Sequence, residues 1–273
     1  MSYPQWLKVE PWGEHEVLVV SAPHAELKIS LYGAHVLSYT PQGKSELLWL
    51  SSSAIFKKGK AIRGGIPLCW PGFAEGAEPF HGTARISEWQ LDSYSLNDQL
   101  ATLSFSPKVQ TNLEATLTLE ISEQLIMTLS TLNRSKESFR LTQAFHSYFA
   151  VSDYRQVAID GLQGAVFEEK LEQGARYQQM GVLKPCRALD RIYGSAGEVS
   201  FTDSVTGRQV SIVKTGSKST VVWQPGEAAA GMADVSQDTA EQFICIEVAN
   251  THLDPVMLKT GESSQMYMKI SCL

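Results

Sequence analysis

The sequence predicts an all-β protein, a large antiparallel β-sandwich of many strands with few short helices. Hydrophobic and polar residues alternate along most of the 273-residue chain, and a period of two is typical of strands with one buried face. Turn residues separate these alternating segments closely, as at 97–98 and 206–207. Helical signals occur only at 53–60 and 227–235. Both segments are too short to connect parallel strands, so the sheets are expected to be antiparallel.

The clearest strand covers residues 113–121, where Leu, Ala and Ile alternate with Glu and Thr. The C-terminal residues 266–272 repeat this pattern with Met, Ile and Cys on one face. No shift in composition and no Pro- or Ser-rich linker divides the chain, so we expect one domain over residues 1–273. In chain order the predicted strands are 16–21, 26–32, 35–39, 46–50, 88–95, 99–106, 113–121, 124–132, 138–151, 198–202, 208–214, 218–223, 242–248 and 266–272.

Charge and composition exclude several classes of protein. The chain has 23 Lys and Arg against 29 Asp and Glu, a net charge of −6 that disfavours binding to nucleic acid or anionic membranes. No apolar run approaches the ~20 residues of a membrane span, and the first twenty residues do not resemble a signal peptide. The four cysteines are widely spaced, which is typical of reduced thiols. We therefore expect a cytoplasmic protein that binds neither nucleic acid nor membranes.

The common nucleotide-binding and hydrolase motifs are missing from the chain. It has no phosphate-binding GxxxxGK[ST] loop, no GxGxxG, no GxSxG and no HExxH. Any chemistry must therefore use dispersed His, Glu, Asp and Arg side chains that the sheets bring together.

An irregular segment at residues 63–73 begins with Arg63 and combines glycines and prolines with apolar residues. Adjacent glycines permit unusual backbone angles and the close approach of a ligand, whereas prolines stiffen the loop. His81 and Arg85 follow in a second short segment. Two guanidinium groups are suited to bind a phosphate through paired hydrogen bonds. The alternatives are a structural corner and two unrelated surface ion pairs.

A histidine lies within the predicted strand 138–151. His146 alternates with the apolar Phe145 and Phe149 and shares its parity with Thr142 and Tyr148, which predicts that it lies on the wetter face. A histidine there can offer a proton near neutral pH. The alternative is a half-buried histidine with satisfied hydrogen bonds.

Glu247 interrupts a strand that is apolar on both faces. A carboxylate in such a place is costly unless it is paired. Burial raises the pKa of a carboxyl group toward the range of a general base, while a nearby cation lowers it again. A buried structural ion pair and a strand end that reaches water are the alternatives.

Six motifs in this order, RGGIP, HGTAR, HSYF, LDRIY, VVWQP and ICIEVAN, resemble the glucose-6-phosphate 1-epimerase family, the hexose-6-phosphate mutarotases related to aldose 1-epimerase. The resemblance extends from Trp49 to Asn250. It implies a galactose-mutarotase-like supersandwich and a sugar epimerase without a metal or other cofactor, with its site in a cleft on one sheet. A monomer acting on a small sugar phosphate is expected.

The resemblance also implies roles for six residues of this chain. His146 and Glu247 would form the catalytic pair. The substrate-contacting positions would be Arg63, His81, Arg85 and Asp190.

Interconversion of the two anomers of a sugar requires loss of the C1 hydroxyl proton and protonation of the ring oxygen. We assign Glu247 as the base and protonated His146 as the acid. Two alternatives stay open: an aldose 1-epimerase for neutral sugars and a sugar-binding sandwich without catalysis. Arg63 and Arg85 favour a phosphorylated substrate, and the presence of an acid and a base disfavours a binding module. A glycosidase is less favoured because it needs a second carboxyl group.

Overall fold

The computed structural model describes residues 3–74, 77–109 and 111–273. Most regular structure in this part of the chain is extended and antiparallel, so the prediction of an all-β protein is confirmed. The strands are β1 (Leu7–Trp12), β2 (His15–Ala22), β3 (Ala25–Ser30), β4 (His35–Pro41), β5 (Leu68–Cys69), β6 (Trp89–Leu96), β7 (Ala101–Pro107), β8 (Leu113–Ile121), β9 (Gln124–Asn133), β10 (Phe139–Leu141), β11 (Gln143–Phe145), β12 (Tyr148–Ala150), β13 (Val157–Asp160), β14 (Val166–Glu169), β15 (Ala175–Gln178), β16 (Leu189–Gly194), β17 (Val199–Asp203), β18 (Gln209–Thr215), β19 (Ser219–Gln224), β20 (Phe243–Asn250), β21 (Val256–Leu258) and β22 (Ser263–Cys272).

The helices in these residues are short 3₁₀ segments that connect strands: Ala84–Ile86, Tyr154–Gln156, Lys170–Glu172, Gly226–Gly231 and Gln237–Thr239. None of the described helices is long and apolar enough to cross a membrane.

Two eight-stranded antiparallel sheets dominate the architecture. Sheet I has the order β15-β14-β16-β19-β20-β11-β5, with β12 also paired to β20, and sheet II has the order β13-β17-β18-β22-β9-β8-β7-β6. A four-stranded sheet, β1-β2-β3-β4, and the pair β10-β21 complete the fold. The inner faces of sheets I and II contribute to one large hydrophobic core, as in a sandwich.

Strand β20 shows how alternation orients sheet I. Its residues Ile244, Ile246 and Val248 belong to the core shared with sheet II, whereas Cys245 and Ala249 belong to separate clusters. Successive side chains of a strand point to opposite faces. The odd-numbered residues of β20 therefore lie on the outer face of sheet I.

Some predicted elements differ from the structure. The helix predicted at 53–60 is wrong: this segment forms turns, and Phe56 packs against Trp12. Eight residues would form only about two helical turns, and so short a helix is unfavourable on its own because nucleation is costly. The strand at 46–50 is also wrong and makes only isolated bridges at Leu48 and Leu50. The predicted helix at 227–235 corresponds in part to the 3₁₀ segment Gly226–Gly231.

The predicted strand 138–151 is divided into β10, β11 and β12. β10 pairs with β21, while β11 and β12 pair with β20. The break between β11 and β12 falls at residues 146–147, so His146 lies at an interruption of the strand.

Candidate active site

A cleft of about 290 Å³ opens on the outer face of sheet I. Five of the six predicted site residues line it: Arg63, His81, His146, Asp190 and Glu247. The cleft is also lined by residues that the sequence did not assign to a site, among them Phe73, Phe80, Lys170, Trp223 and Met232. A larger groove of about 780 Å³ lies beside Cys186 and the segment Gly226–Gly231, and none of the six residues lines it.

The register of sheet I brings four cleft residues together. Asp190 of β16 pairs with Trp223 of β19, and Val221 of the same strand pairs with Glu247 of β20. Side chains of directly paired residues lie on the same face of a sheet. Three adjacent strands therefore supply one wall of the cleft.

His146 lies between β11 and β12, which pair with β20 on the side opposite β19, and its side chain lines the same wall of the cleft. Its backbone N–H donates to the carbonyl of Pro67 at 3.1 Å. The neighbouring Phe145 and Phe149 enter the main core, so His146 faces away from the core, as its parity predicts. It is only 9% exposed, and this face is therefore drier than the alternation suggests.

His146 and Glu247 form a buried pair. The Nε2 atom of His146 lies 3.4 Å from Oε1 of Glu247, and the Glu247 side chain is 2% exposed. Neither His146 Nδ1 nor Glu247 Oε2 has a hydrogen-bond partner among the described residues. Because a buried polar atom without a partner is costly, each group retains an atom suited to contact a ligand.

Burial disfavours the charged form of each member of this pair. It raises the pKa of Glu247 well above the usual value for a glutamate, and the carboxylate of Asp190 raises it further. Burial likewise lowers the pKa of His146, and the nearby His81, Arg63 and Arg85 add to this effect. The imidazolium expected from the sequence therefore needs a negative charge close to it.

Arg63 is held at two edges of its guanidinium. Its Nε donates to Oδ2 of Asp234 at 3.1 Å, and Nη1 donates to the hydroxyl of Tyr148 at 2.9 Å. Arg63 and Asp234 are both about one quarter exposed, with side-chain exposures of 26% and 25%. The arginine is thus partly neutralised while it lines the cleft.

The two glycines after Arg63 are required by the backbone. Gly64 and Gly65 have φ of 108° and 62°. A Cβ at Gly65 would lie 2.2 Å from the carbonyl oxygen of Val36, and one at Gly64 would lie 2.5 Å from that of Trp49. The sequence predicts that these glycines allow a ligand to approach closely, but in the structure it is other backbone segments that approach them. This close backbone packing fixes the position from which Arg63 enters the cleft.

His81 has a defined hydrogen-bonding pattern. The N–H of Ala74 donates to His81 Nδ1 at 3.1 Å, so the neutral ring carries its proton on Nε2. Burial, with the charges of Arg85 and Arg63, lowers the pKa of His81 to about 3. At neutral pH this residue is a hydrogen-bond donor rather than an acid.

Arg85 is the predicted site residue that does not line the cleft. It lies in the 3₁₀ segment Ala84–Ile86 and its Nη2 donates to the carbonyl of Phe80 at 2.9 Å. The exposed ring of Phe80 lines the cleft. Arg85 therefore supports the rim, and direct contact with a substrate stays a prediction.

Two residues, one lining the cleft and one holding Arg63, could not be identified from the sequence, for different reasons. Lys170 follows β14, a strand that was not predicted, and its position carries no local signal. Asp234 lies between two short 3₁₀ segments and reaches Arg63 only through the tertiary fold. Within the described residues, no group of three or more His, Cys, Asp or Glu side chains could hold a metal ion.

Comparison with known proteins gives consistent matches. The family model described as aldose 1-epimerase matches residues 16–271. A protein of Salmonella typhimurium provisionally named glucose-6-phosphate 1-epimerase is 34% identical over 250 residues, which cover 85% of this chain and 82% of that protein. A protein of Escherichia coli with the same provisional name is 31% identical over 245 residues, covering 86% of this chain and 83% of its own.

A solved structure resembles the whole chain. The crystal structure of a protein from Salmonella typhimurium, provisionally named a mutarotase, has a TM-score of 0.91 and 27% sequence identity, and the match covers 99% of this chain and 95% of that one. The predicted mutarotase-like sandwich is therefore confirmed.

Proposed function

Because the chain belongs to the aldose 1-epimerase family, we propose that it interconverts the α and β anomers of a hexose 6-phosphate, with glucose 6-phosphate as the first candidate. The observation that carries this proposal is the buried His146–Glu247 pair in a cleft that Arg63 and Lys170 also line. The names of the bacterial relatives point to the same substrate.

In the proposed reaction, Glu247 removes the proton of the C1 hydroxyl while His146 protonates the ring oxygen. The bond between C1 and the ring oxygen breaks and an open-chain aldehyde forms. Rotation about the bond between C1 and C2 presents the other face of the aldehyde, and the two residues exchange roles on closure. Each positioned proton-transfer group contributes about 10²- to 10⁴-fold to such a rate. Glu247 and His146 would supply both the base and the acid, and no oxidation state changes, so we propose that no metal or coenzyme is needed.

The charge of the substrate supports protonation of His146, the proposed acid. Burial alone opposes an imidazolium at His146. A phosphate anion bound nearby raises the pKa of a histidine, since an opposite charge stabilises the protonated form. An anionic sugar would therefore help to place the proton on the residue that must act as the acid.

The remaining cleft residues fit recognition of a sugar phosphate. A guanidinium has five N–H donors, and Arg63 directs two of them to Asp234 and Tyr148. The other donors suit phosphate oxygens. His81 would donate from Nε2 to a sugar hydroxyl, and Asp190 would accept from one.

A second candidate is a mutarotase for neutral aldoses. It is favoured by the ion pair between Asp234 and Arg63, which reduces the positive charge that a phosphate would meet. The two candidates predict opposite preferences between glucose and its 6-phosphate.

The test is exchange NMR between the anomeric protons of glucose 6-phosphate and, separately, of glucose, with and without the protein. We expect a clear acceleration for glucose 6-phosphate that is lost in Glu247→Gln. Equal or greater acceleration for glucose would favour the second candidate. No acceleration for either sugar would overturn the proposed activity.

A further inference from the structure

Tyr148 lies between the residue that would transfer a proton and the residue that would bind the anion. It begins β12 and pairs with Cys245 of β20, so its side chain points to the same face as Glu247. The residue is 2% exposed. Tyr148 therefore lies beside both the proposed proton-transfer residue, His146, and the proposed anion-binding residue, Arg63.

The ring of Tyr148 packs flat against the imidazole of His146. Their centroids are 4.8 Å apart and their planes differ by 14°. The other rings near the imidazole in the described residues make edge contacts with it: His81 at 5.7 Å and Trp223 at 6.0 Å.

A histidine that transfers protons is commonly oriented by a hydrogen bond to its second ring nitrogen. His146 Nδ1 has no such bond within the described part of the chain. Stacking on Tyr148 is therefore the contact that fixes the plane of the imidazole, while Nε2 lies near Glu247.

The hydroxyl of Tyr148 contacts the arginine. It accepts the hydrogen bond from Arg63 Nη1, and burial raises the pKa of the phenol well above its usual value, so the hydroxyl stays protonated. With Asp234 on Nε, this contact fixes the plane of the guanidinium. Loss of the hydroxyl would leave Arg63 anchored at one edge only.

We propose that Tyr148 is a positioning residue with two separable effects: its ring orients His146 for proton transfer, and its hydroxyl orients Arg63 for binding of the anionic group. This proposal rests on the proposed function. The two effects act on different kinetic constants, because His146 would act in the chemical step and Arg63 in binding.

Two substitutions separate the effects. Tyr148→Phe keeps the ring and removes the hydroxyl, so we expect KM for glucose 6-phosphate to rise about tenfold while kcat and its pH profile change little. Tyr148→Met removes the ring, so we expect kcat to fall roughly 10- to 100-fold as the imidazole loses its orientation. Tyr148→Leu serves as a second ring variant if the Met protein does not fold.

Tyr193→Phe is the matched control. Tyr193 is a fully buried tyrosine of sheet I whose hydroxyl contacts Arg191 Nη1 at 3.4 Å and Gln179 at 2.9 Å, and its ring lies in the main core. This variant is expected to lower Tm without changing the ratio of kcat to KM. A purely structural role for Tyr148 would give the same result in all variants and would overturn the proposal.

Measurements without turnover distinguish failure of this proposal from failure of the proposed function. NMR contacts (nuclear Overhauser effects) between the His146 ring and the rings of His81 and Trp223 report the orientation of the imidazole. They should be the same in Tyr148→Phe as in the natural protein and altered in Tyr148→Met, and unchanged contacts in Tyr148→Met would overturn the ring effect even in a protein without activity. Calorimetry with glucose 6-phosphate should show about tenfold weaker binding for Tyr148→Phe. Equal binding by the two proteins would overturn the hydroxyl effect, whereas no binding by the natural protein would overturn the proposed substrate instead.

Discussion

His146 and Glu247 are brought opposite one another by the pairing of β11 and β12 with β20. Phe145 pairs with Val248 and Tyr148 pairs with Cys245, so these two pairs bracket His146 and Glu247. Cross-strand neighbours lie on the same face of a sheet. The distance of 3.4 Å between imidazole and carboxylate thus follows from strand register.

The first prediction concerns this pair. His146→Asn and Glu247→Gln should each reduce the rate of anomer exchange by at least ~10²-fold, because each removes one proton-transfer group. Neither replacement should lower Tm substantially, since both nearly preserve shape. The measurement is exchange NMR beside thermal melting.

The matched control is His252→Asn. His252 Nε2 lies 2.7 Å from Glu168 Oε2, a His–Glu pair that does not line the cleft. We expect full activity in this variant. A folded Glu247→Gln protein with a normal rate would contradict the assignment of the base.

The second prediction concerns stability against pH. Burial raises the pKa of Glu247 above its ordinary 4.5, so the folded state holds this proton more tightly than the unfolded state. The resulting contribution to stability is fully present below about pH 4.5 and is lost as pH rises toward the raised pKa. Glu247→Gln lacks this titration and should gain stability relative to the natural protein as pH increases.

Urea unfolding of both proteins at a series of pH values from 4 to 9 would measure the difference. If the free energies of unfolding of the two proteins differ by a constant amount over this pH range, Glu247 has no raised pKa in the folded protein.

The third prediction concerns the phosphate. Arg63→Met should raise KM for glucose 6-phosphate ~10- to 150-fold, because hydrogen bonds to charged groups contribute about 1.5 to 3 kcal/mol. KM for glucose should change much less. Lys170→Met should also raise KM for glucose 6-phosphate. Arg85→Ala should have a smaller effect, because Arg85 does not line the cleft.

The kinetic constants for both sugars should be compared at low and high salt, since screening weakens exposed charge interactions. Arg134→Met is the control, because Arg134 pairs with Glu114 on the surface. If Arg63→Met raises KM equally for glucose and for glucose 6-phosphate, Arg63 does not recognise the phosphate.

The fourth prediction concerns metals. Treatment with EDTA should leave both the rate and Tm unchanged, because the proposed steps are proton transfers between carboxylate, imidazole and sugar. Loss of activity that one specific metal restores, at constant Tm, would contradict this mechanism. A parallel fall in Tm would instead identify a structural ion.

Several elements could be predicted from the sequence because burial on one face leaves a local pattern. The predicted strand 113–121 coincides with β8, and 124–132 differs from β9 by one residue. In contrast, β14, β15 and β16 were missed. Asp190 of β16 faces the cleft while Arg191 pairs with Glu169 of β14, so polar residues occupy successive positions and the alternation disappears.

By itself, the sequence determined the all-β class and the face on which His146 lies, and it marked Glu247 as a carboxylate in an apolar strand. These properties depend on the period of two and on local composition. Only the tertiary structure decided which groups surround that pair: Asp234 holds Arg63, and Arg85 is turned to the carbonyl of Phe80. The physical reason is that burial of one face of a strand leaves a local alternation of apolar and polar residues in the sequence. The contacts around the pair depend instead on strand register and on loops that meet from distant parts of the sequence.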